Sequence, residues 1–156
     1  MLLRPARAEE AAHLSELALR SKGHWGYDAD FLAACRAELT IAAADVVARR
    51  VTVADVGGRA VGFYTLDGDP PVVELGQMFV DPAHIGAGVG RALWRHAVEV
   101  ARDAGVTSFT IDADPYAEAF YLAMGAVRTG TVPSGSVGGR VLPRLTFVVT
   151  GTGARG

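Results

Sequence analysis

Apolar and polar residues alternate along this chain with two different periods, and each change of period marks an element. Ala8–Arg20 places Ala11, Leu14, Leu17 and Ala18 at helical spacing, and Phe31–Leu39 does the same with Phe31, Leu32, Cys35 and Leu39. Between them Ser21–Asp30 breaks the pattern with Gly23, Gly26 and the aromatics Trp25 and Tyr27. The clearest helical stripe is Val89, Leu93, Ala97, Val100 and Ala104 within Gly88–Ala104, closed by Gly105. A last helix is expected from Asp114-Pro115, an N-cap followed by proline at the first helical position, to about Met124, with Gly125 as its stop.

The remaining segments read as strands. They are Leu2–Ala6, Val51–Val56, Ala60–Leu66, Val72–Val80, Val106–Ile111, Ala126–Val132 and Leu142–Thr150. Gly57-Gly58 is a hairpin turn, Asp81-Pro82 stops the fourth strand, and Pro133–Pro143 is a glycine-containing loop. Ile41–Ala48 fits a turn or a loop equally well. The order is β-α-α-β-β-β-α-β-α-β-β. Three consecutive strands joined by tight turns are antiparallel, which excludes a purely parallel, doubly wound sheet. The unit Val72–Ile111 should be parallel and right-handed. These features predict one α/β domain over residues 1–150: a mixed, mostly antiparallel sheet with helices on both faces. Residues 151–156 read as a flexible tail.

Composition narrows the classes of function. The chain has 156 residues, half of them hydrophobic, and 15 Lys+Arg against 17 Asp+Glu. It contains no basic run, so nucleic acid is not an expected partner. Its apolar stretches are too short to cross a bilayer, and Met1–Pro5 lacks the apolar core of a signal peptide, so a cytoplasmic protein with no membrane association is expected. The lone Cys35 reads as a small packed apolar residue. His13, His84 and His96 share no metal-ligand spacing, and no metal is expected.

The chemical signal is a strand, then Asp81-Pro82, then His84-Ile85-Gly86-Ala87-Gly88-Val89-Gly90-Arg91, then a helix. Successive glycines let backbone N–H groups converge, and with the helix N-terminus they suit a pyrophosphate. On its own such a turn also serves as a plain strand-to-helix connection. Two nucleotide fingerprints fail: Gly90 is followed by Arg91-Ala92 rather than Lys-Ser/Thr, and a Gly-x-Gly-x-x-Gly run from Gly86 would end on Arg91.

Val80-Asp81-Pro82 followed by Ile85-Gly86-Ala87-Gly88-Val89-Gly90 and Leu93 resembles the acyl-CoA motif of the GNAT N-acetyltransferase superfamily, Gln/Arg-x-x-Gly-x-Gly/Ala. Gly88 and Gly90 fall on its two small positions. Ile85 replaces Gln or Arg, and Arg91 is placed to supply positive charge instead. The segment Asp114–Ala126 resembles the family's Asn-x-x-Ala-x-x-x-Tyr-x-x-x-Gly-Phe helix through Ala117, Tyr121 and Gly125, with Asp114 for Asn and Ala126 for Phe.

The resemblance implies acetyl-CoA as co-substrate and a small-molecule or peptide amine as acceptor. Met78, Phe79 and Val80 would pair with the pantetheine arm, while Ile85–Arg91, Asp114 and Phe120 would line the cofactor site. Acyl transfer to an amine needs a base for the amine and an acid for the leaving thiolate. Glu74, on the strand leading to the turn, is the candidate base, and Tyr121 the candidate acid. Gln77 is placed to position the acceptor. His24, Trp25 and Tyr27, between the first two helices, and Arg140, in the late loop, are the other acceptor-side candidates. A homodimer is allowed. A non-catalytic acyl-CoA-binding regulatory or interaction module stands as the alternative, and turnover of acetyl-CoA separates the two.

Overall fold

In the computed structural model, which describes residues 1–149, the strands join into one seven-stranded sheet. These are β1 (Leu2–Pro5), β2 (Thr52–Val56), β3 (Arg59–Asp67), β4 (Val72–Val80), β5 (Ser108–Asp112), β6 (Val127–Pro133) and β7 (Val141–Val148). Their order is β1-β2-β3-β4-β5-β7-β6, and only the β4–β5 pair is parallel. Thr150 and the expected tail 151–156 lie outside the described residues. Among those residues no helix is long and apolar enough to cross a membrane.

Strand alternation gives the sheet two apolar faces. One is covered by α1 (Ala11–Gly23) and α2 (Ala29–Leu39), whose Leu14, Leu17, Cys35 and Leu39 pack with Val53 and Phe63. The other is covered by α4 (Val89–Asp103), which follows the single turn α3 (Asp45–Ala48). Its Leu93, Trp94 and Ala97 pack with Tyr64, Leu75, Phe109 and Leu145. Full burial of each large side chain stabilises the fold by about 1.5–3 kcal/mol, so both faces are needed.

Three segments depart most from the sequence expectation. The first helix begins at Ala11, after a 3-10 turn at Ala8–Glu10, and runs on to Gly23. There the Glu10 carboxylate accepts from the Arg7 N–H and from Arg4, which tightens the entry. Ile41–Ala48 divides: the Ser15 hydroxyl accepts from the Ile41 N–H, Asp45 accepts from the Ala42 N–H, and α3 follows. The last helix, α5 (Glu118–Ala123), starts four residues later than Asp114. Asp114 is not its N-cap; its carboxylate accepts from the Tyr116 N–H at 2.9 Å and makes an Asx turn.

Two irregularities in β4 shape the interior. Thr65 pairs with Gln77 but Leu66 with Leu75, so Gly76 is an extra residue forming a bulge. A Cβ there would run into the Asp67 carboxylate, which Arg49 holds in an ion pair at 2.8 Å. On the other side, β4 and β5 pair only over Val72–Glu74 and Ser108–Thr110, and then part.

Candidate active site

The parting of β4 and β5 opens a cleft of about 630 Å³. The Asp81 N–H donates to Val61 O at 2.8 Å and the Gln77 N–H to Thr65 Oγ1 at 3.0 Å, both toward β3. Successive residues alternate sides, so the N–H groups of Met78 and Val80 face the opened side. An extended ligand arm laid there finds the bonding edge of a strand without a partner strand.

One end of the cleft is the glycine turn. Gly86 (φ +87°) and Gly88 (φ +83°) adopt left-handed conformations that side chains with a Cβ resist. Among the described residues, the N–H groups of Gly86, Gly88, Val89, Gly90 and Arg91 have no acceptor. Five donors at a helix start form a cradle whose chemistry fits a pyrophosphate. Phe120 floors it: a Cβ on Gly90 would sit 3.5 Å from that ring. Of the turn residues, Ile85, Gly86, Gly88, Val89, Gly90 and Arg91 line the cleft with Met78, Phe79 and Val80, whereas Ala87 does not. His84, which also lines it, has a buried Nδ1 without a partner among the described residues.

Tyr121 stands on the α5 wall with its ring against Trp94 and Phe120, centroids 5.9 and 5.3 Å away. Its hydroxyl makes no hydrogen bond with the described residues. Burial, and secondarily the charge of Asp114, raise its pKa above the ordinary tyrosine value, so the phenol stays protonated. Glu74 stands on the β4 wall. Burial raises its pKa first, and repulsion by Asp112 and Asp67 adds to this against the pull of Arg144 and Arg49. Gln77 lies past the bulge on the same face of β4; its Nε2 donates to Glu38 O at 3.2 Å and its buried Oε1 has no donor among the described residues.

The acceptor-side candidates separate into two groups. Trp25 lines the cleft and stacks on Tyr116, centroids 5.4 Å apart and rings within 4° of parallel. His24, Tyr27 and Arg140 do not line it. Arg140 Nη2 donates to Tyr27 Oη at 2.6 Å and to Asp114 Oδ2 at 3.2 Å, and Lys22 pairs with the same oxygen at 2.9 Å. Tyr27 Oη donates to Asp114 in turn, at 3.0 Å. Burial would raise the Asp114 pKa, but Lys22, the Tyr116 N–H and Tyr27 together hold it below the usual carboxylate value. Tyr27 is pushed up to about 12 by burial and the Asp114 charge. This clasp ties the α1–α2 loop, the β5–α5 turn and the β6–β7 loop together behind the cleft wall.

The cleft also contains Lys22, Glu38, Arg49, Asp67 and Tyr116, none of which the sequence singled out. Tyr116 was visible inside the Asp114–Ala126 segment. The other four reach the cleft through contacts between distant segments, for which a single sequence carries no local signal.

The profile of the Acetyltransferase (GNAT) family matches residues 14–126. A comparison with curated proteins gave no match. Among solved structures, the chain is similar to a GCN5-related N-acetyltransferase from Rhodopseudomonas palustris, with 23% identity, 94% of each chain covered and a TM-score of 0.79. It is also similar to the PaiA N-acetyltransferase of Thermoplasma acidophilum in complex with coenzyme A, with 16% identity, 94% of this chain and 98% of that one covered, and a TM-score of 0.77. A third likeness is to YncA of Salmonella typhimurium with acetyl-CoA, with 23% identity, 96% and 94% covered, and a TM-score of 0.68. At these identities the structural likeness establishes the fold, and the profile, covering well over half of the sequence, establishes the family: the chain belongs to the GNAT acetyltransferases.

Proposed function

We propose that the protein moves an acetyl group from acetyl-CoA to a primary amine of a small molecule or peptide by direct attack. The observation that carries this reading is that Glu74 and Tyr121 line one cleft whose far end is the glycine cradle. Acetyl-CoA is the co-substrate, with its pyrophosphate on the N–H groups of Gly86–Arg91 and its pantetheine arm along Met78–Val80.

The chemistry follows from the side chains present. Glu74 accepts a proton from the substrate ammonium, freeing the nitrogen lone pair. The nitrogen attacks the thioester carbonyl carbon, and the N–H of Met78 stabilises the oxygen as it gains charge. The tetrahedral intermediate collapses, the C–S bond breaks, Tyr121 donates its proton to the departing sulfur, and the second proton on the attacking nitrogen passes to the phenolate, leaving a neutral amide and Tyr121 protonated again. A carboxyl with a raised pKa is a stronger base than an ordinary one, and a buried phenol stays protonated until it is needed. Trp25 and Gln77 contact the acceptor, while His24, Tyr27 and Arg140 support the wall behind it. Asp114, with its carboxylate held in the clasp, shapes the start of α5 beside the cofactor.

Calorimetric titration with acetyl-CoA tests the cofactor site. Binding by the wild type and loss in Gly88→Trp, which fills the cradle, support the reading. Absence of binding by the folded wild type overturns it. Binding without turnover across a panel of amines leaves a non-catalytic acyl-CoA module as the correct description.

A further inference from the structure

We propose that the acceptor carries a second cationic group, as a diamine or longer polyamine does, and that Glu38 is the residue that selects for it. The inference rests on the acyltransferase reading and names the substrate class of the same cleft.

Charge bookkeeping along the wall separates the carboxylates. Glu38, Asp67, Glu74, Asp112 and Asp114 all line the cleft. Three are neutralised: Asp67 by Arg49 at 2.8 Å, Asp112 by Arg144 at 2.7 Å, and Asp114 by Lys22 at 2.9 Å and Arg140 at 3.2 Å. Glu38 and Glu74 have no ion pair among the described residues. The same pairs occupy the cations that would otherwise hold an acidic group on a substrate. Arg91, the remaining cation on the wall, sits at the cradle.

A second observation comes from Gln77, only 7% exposed. Its Nε2 is committed to Glu38 O, which fixes the amide orientation and leaves Oε1 buried without a donor. Buried acceptors normally have a partner, so this one calls for a donor from outside the chain. An ammonium has three donors and no acceptor, and beside Glu38 it can donate both to the carboxylate, which the Ser136 hydroxyl leaves without a counter-charge, and to the amide oxygen. The rim agrees: the stacked faces of Trp25 and Tyr116 attract a cation and offer a carboxylate nothing. Glu74 then handles the reacting amine while Glu38 holds the distal one.

The test titrates CoA-loaded protein with 1,4-diaminobutane, butylamine and 4-aminobutyrate. For a carboxylate at an exposed rim, the diamine should bind about fivefold tighter than butylamine, with 4-aminobutyrate weakest. Glu38→Gln should erase the preference. Ser136→Ala, which removes only the hydroxyl that donates to Glu38 Oε2 at 2.7 Å, should keep it and controls for loop disturbance. Equal affinities in the wild type, a preference for 4-aminobutyrate, or a preference that survives Glu38→Gln overturns the inference. Coenzyme A binding, measured first, separates the two failures: without it the acyltransferase reading falls as well, whereas coenzyme A binding with no dication preference sinks only the substrate class.

Discussion

Glu74 and Gln77 face the same side of β4 although three positions separate them. Strict alternation would put them on opposite faces. Val73 and Leu75 pack into the α4 core, so Glu74 between them faces the α1–α2 side, and Gln77 reaches Glu38 of α2 on that side too. The bulge at Gly76 makes this compatible, and Gly76 is small because Asp67, Thr65 and Arg49 crowd the place of its Cβ. Asp67 is anchored by Arg49 and cannot retreat without breaking that pair. Gly76→Ala is therefore expected to cost about 1–3 kcal/mol in urea unfolding and to lower kcat, with acetyl-CoA affinity retained because the cradle lies at the other end. Wild-type stability in this variant would remove the bulge from the account.

The raised pKa of Glu74 sets the acid side of the pH profile. As base, Glu74 acts ionised, so kcat/KM should fall as pH drops through a value above the ordinary glutamate pKa of about 4.3. Glu74→Gln should lower kcat by about 10²–10⁴ and abolish that limb. The sign for stability is the opposite. A folded-state pKa raised above the unfolded value favours the protonated form, and that contribution is lost as pH rises through the folded pKa. Thermal unfolding should find Glu74→Gln more stable than the wild type at pH 7, with the difference gone in acid. A variant destabilised at pH 7 would contradict the burial argument.

The parts legible in the sequence were those fixed by neighbours along the chain. The stripe of Val89, Leu93 and Ala97, the stop at Gly105 and the glycines before α4 are local patterns, and the structure has them at the expected places; at the helix end Val100 is only partly buried and Ala104 is exposed, with Ala101 buried in their stead. The parting of β4 from β5 depends on register between strands, which no local pattern encodes. The Asp114-Pro115 pair misled because an Asx turn and a helix N-cap use the same residues. Tyr27 and Arg140, 113 positions apart, together with Lys22 draw the carboxylate into the turn. Glu38 and Arg49 reach the cleft through the packing of α2 and the Arg49–Asp67 pair, so their role was not readable before the fold.

Tyr121→Phe separates acid catalysis from packing. The ring contacts with Trp94 and Phe120 remain, and the lost hydroxyl has no partner among the described residues. Stability should stay within about 0.5 kcal/mol of the wild type, and acetyl-CoA affinity should not change. The rate should fall by about 10²–10⁴ if the phenol protonates the leaving sulfur. Full kcat in this variant would assign Tyr121 to the core alone.

Asp114→Asn tests the clasp. Asparagine keeps an acceptor for the Tyr116 N–H but leaves Lys22 and Arg140, whose side chains are 12% and 17% exposed, without their counter-charge. Removing one member of a largely buried ion cluster costs up to about 3–5 kcal/mol, so the unfolding free energy at pH 7 should drop by a substantial part of that. The Asp114 pKa is depressed in the folded chain. Its contribution is therefore present above the unfolded aspartate pKa of about 3.9 and lost as pH falls through the folded value. Urea unfolding at pH 7 and at low pH should show the gap between wild type and variant closing in acid. Hydrogen exchange at neutral pH should place the loosening in the loops that carry Tyr27 and Arg140, because the clasp is what joins them to the β5–α5 turn. A gap unchanged by acid would mean that the carboxylate acts through shape rather than charge.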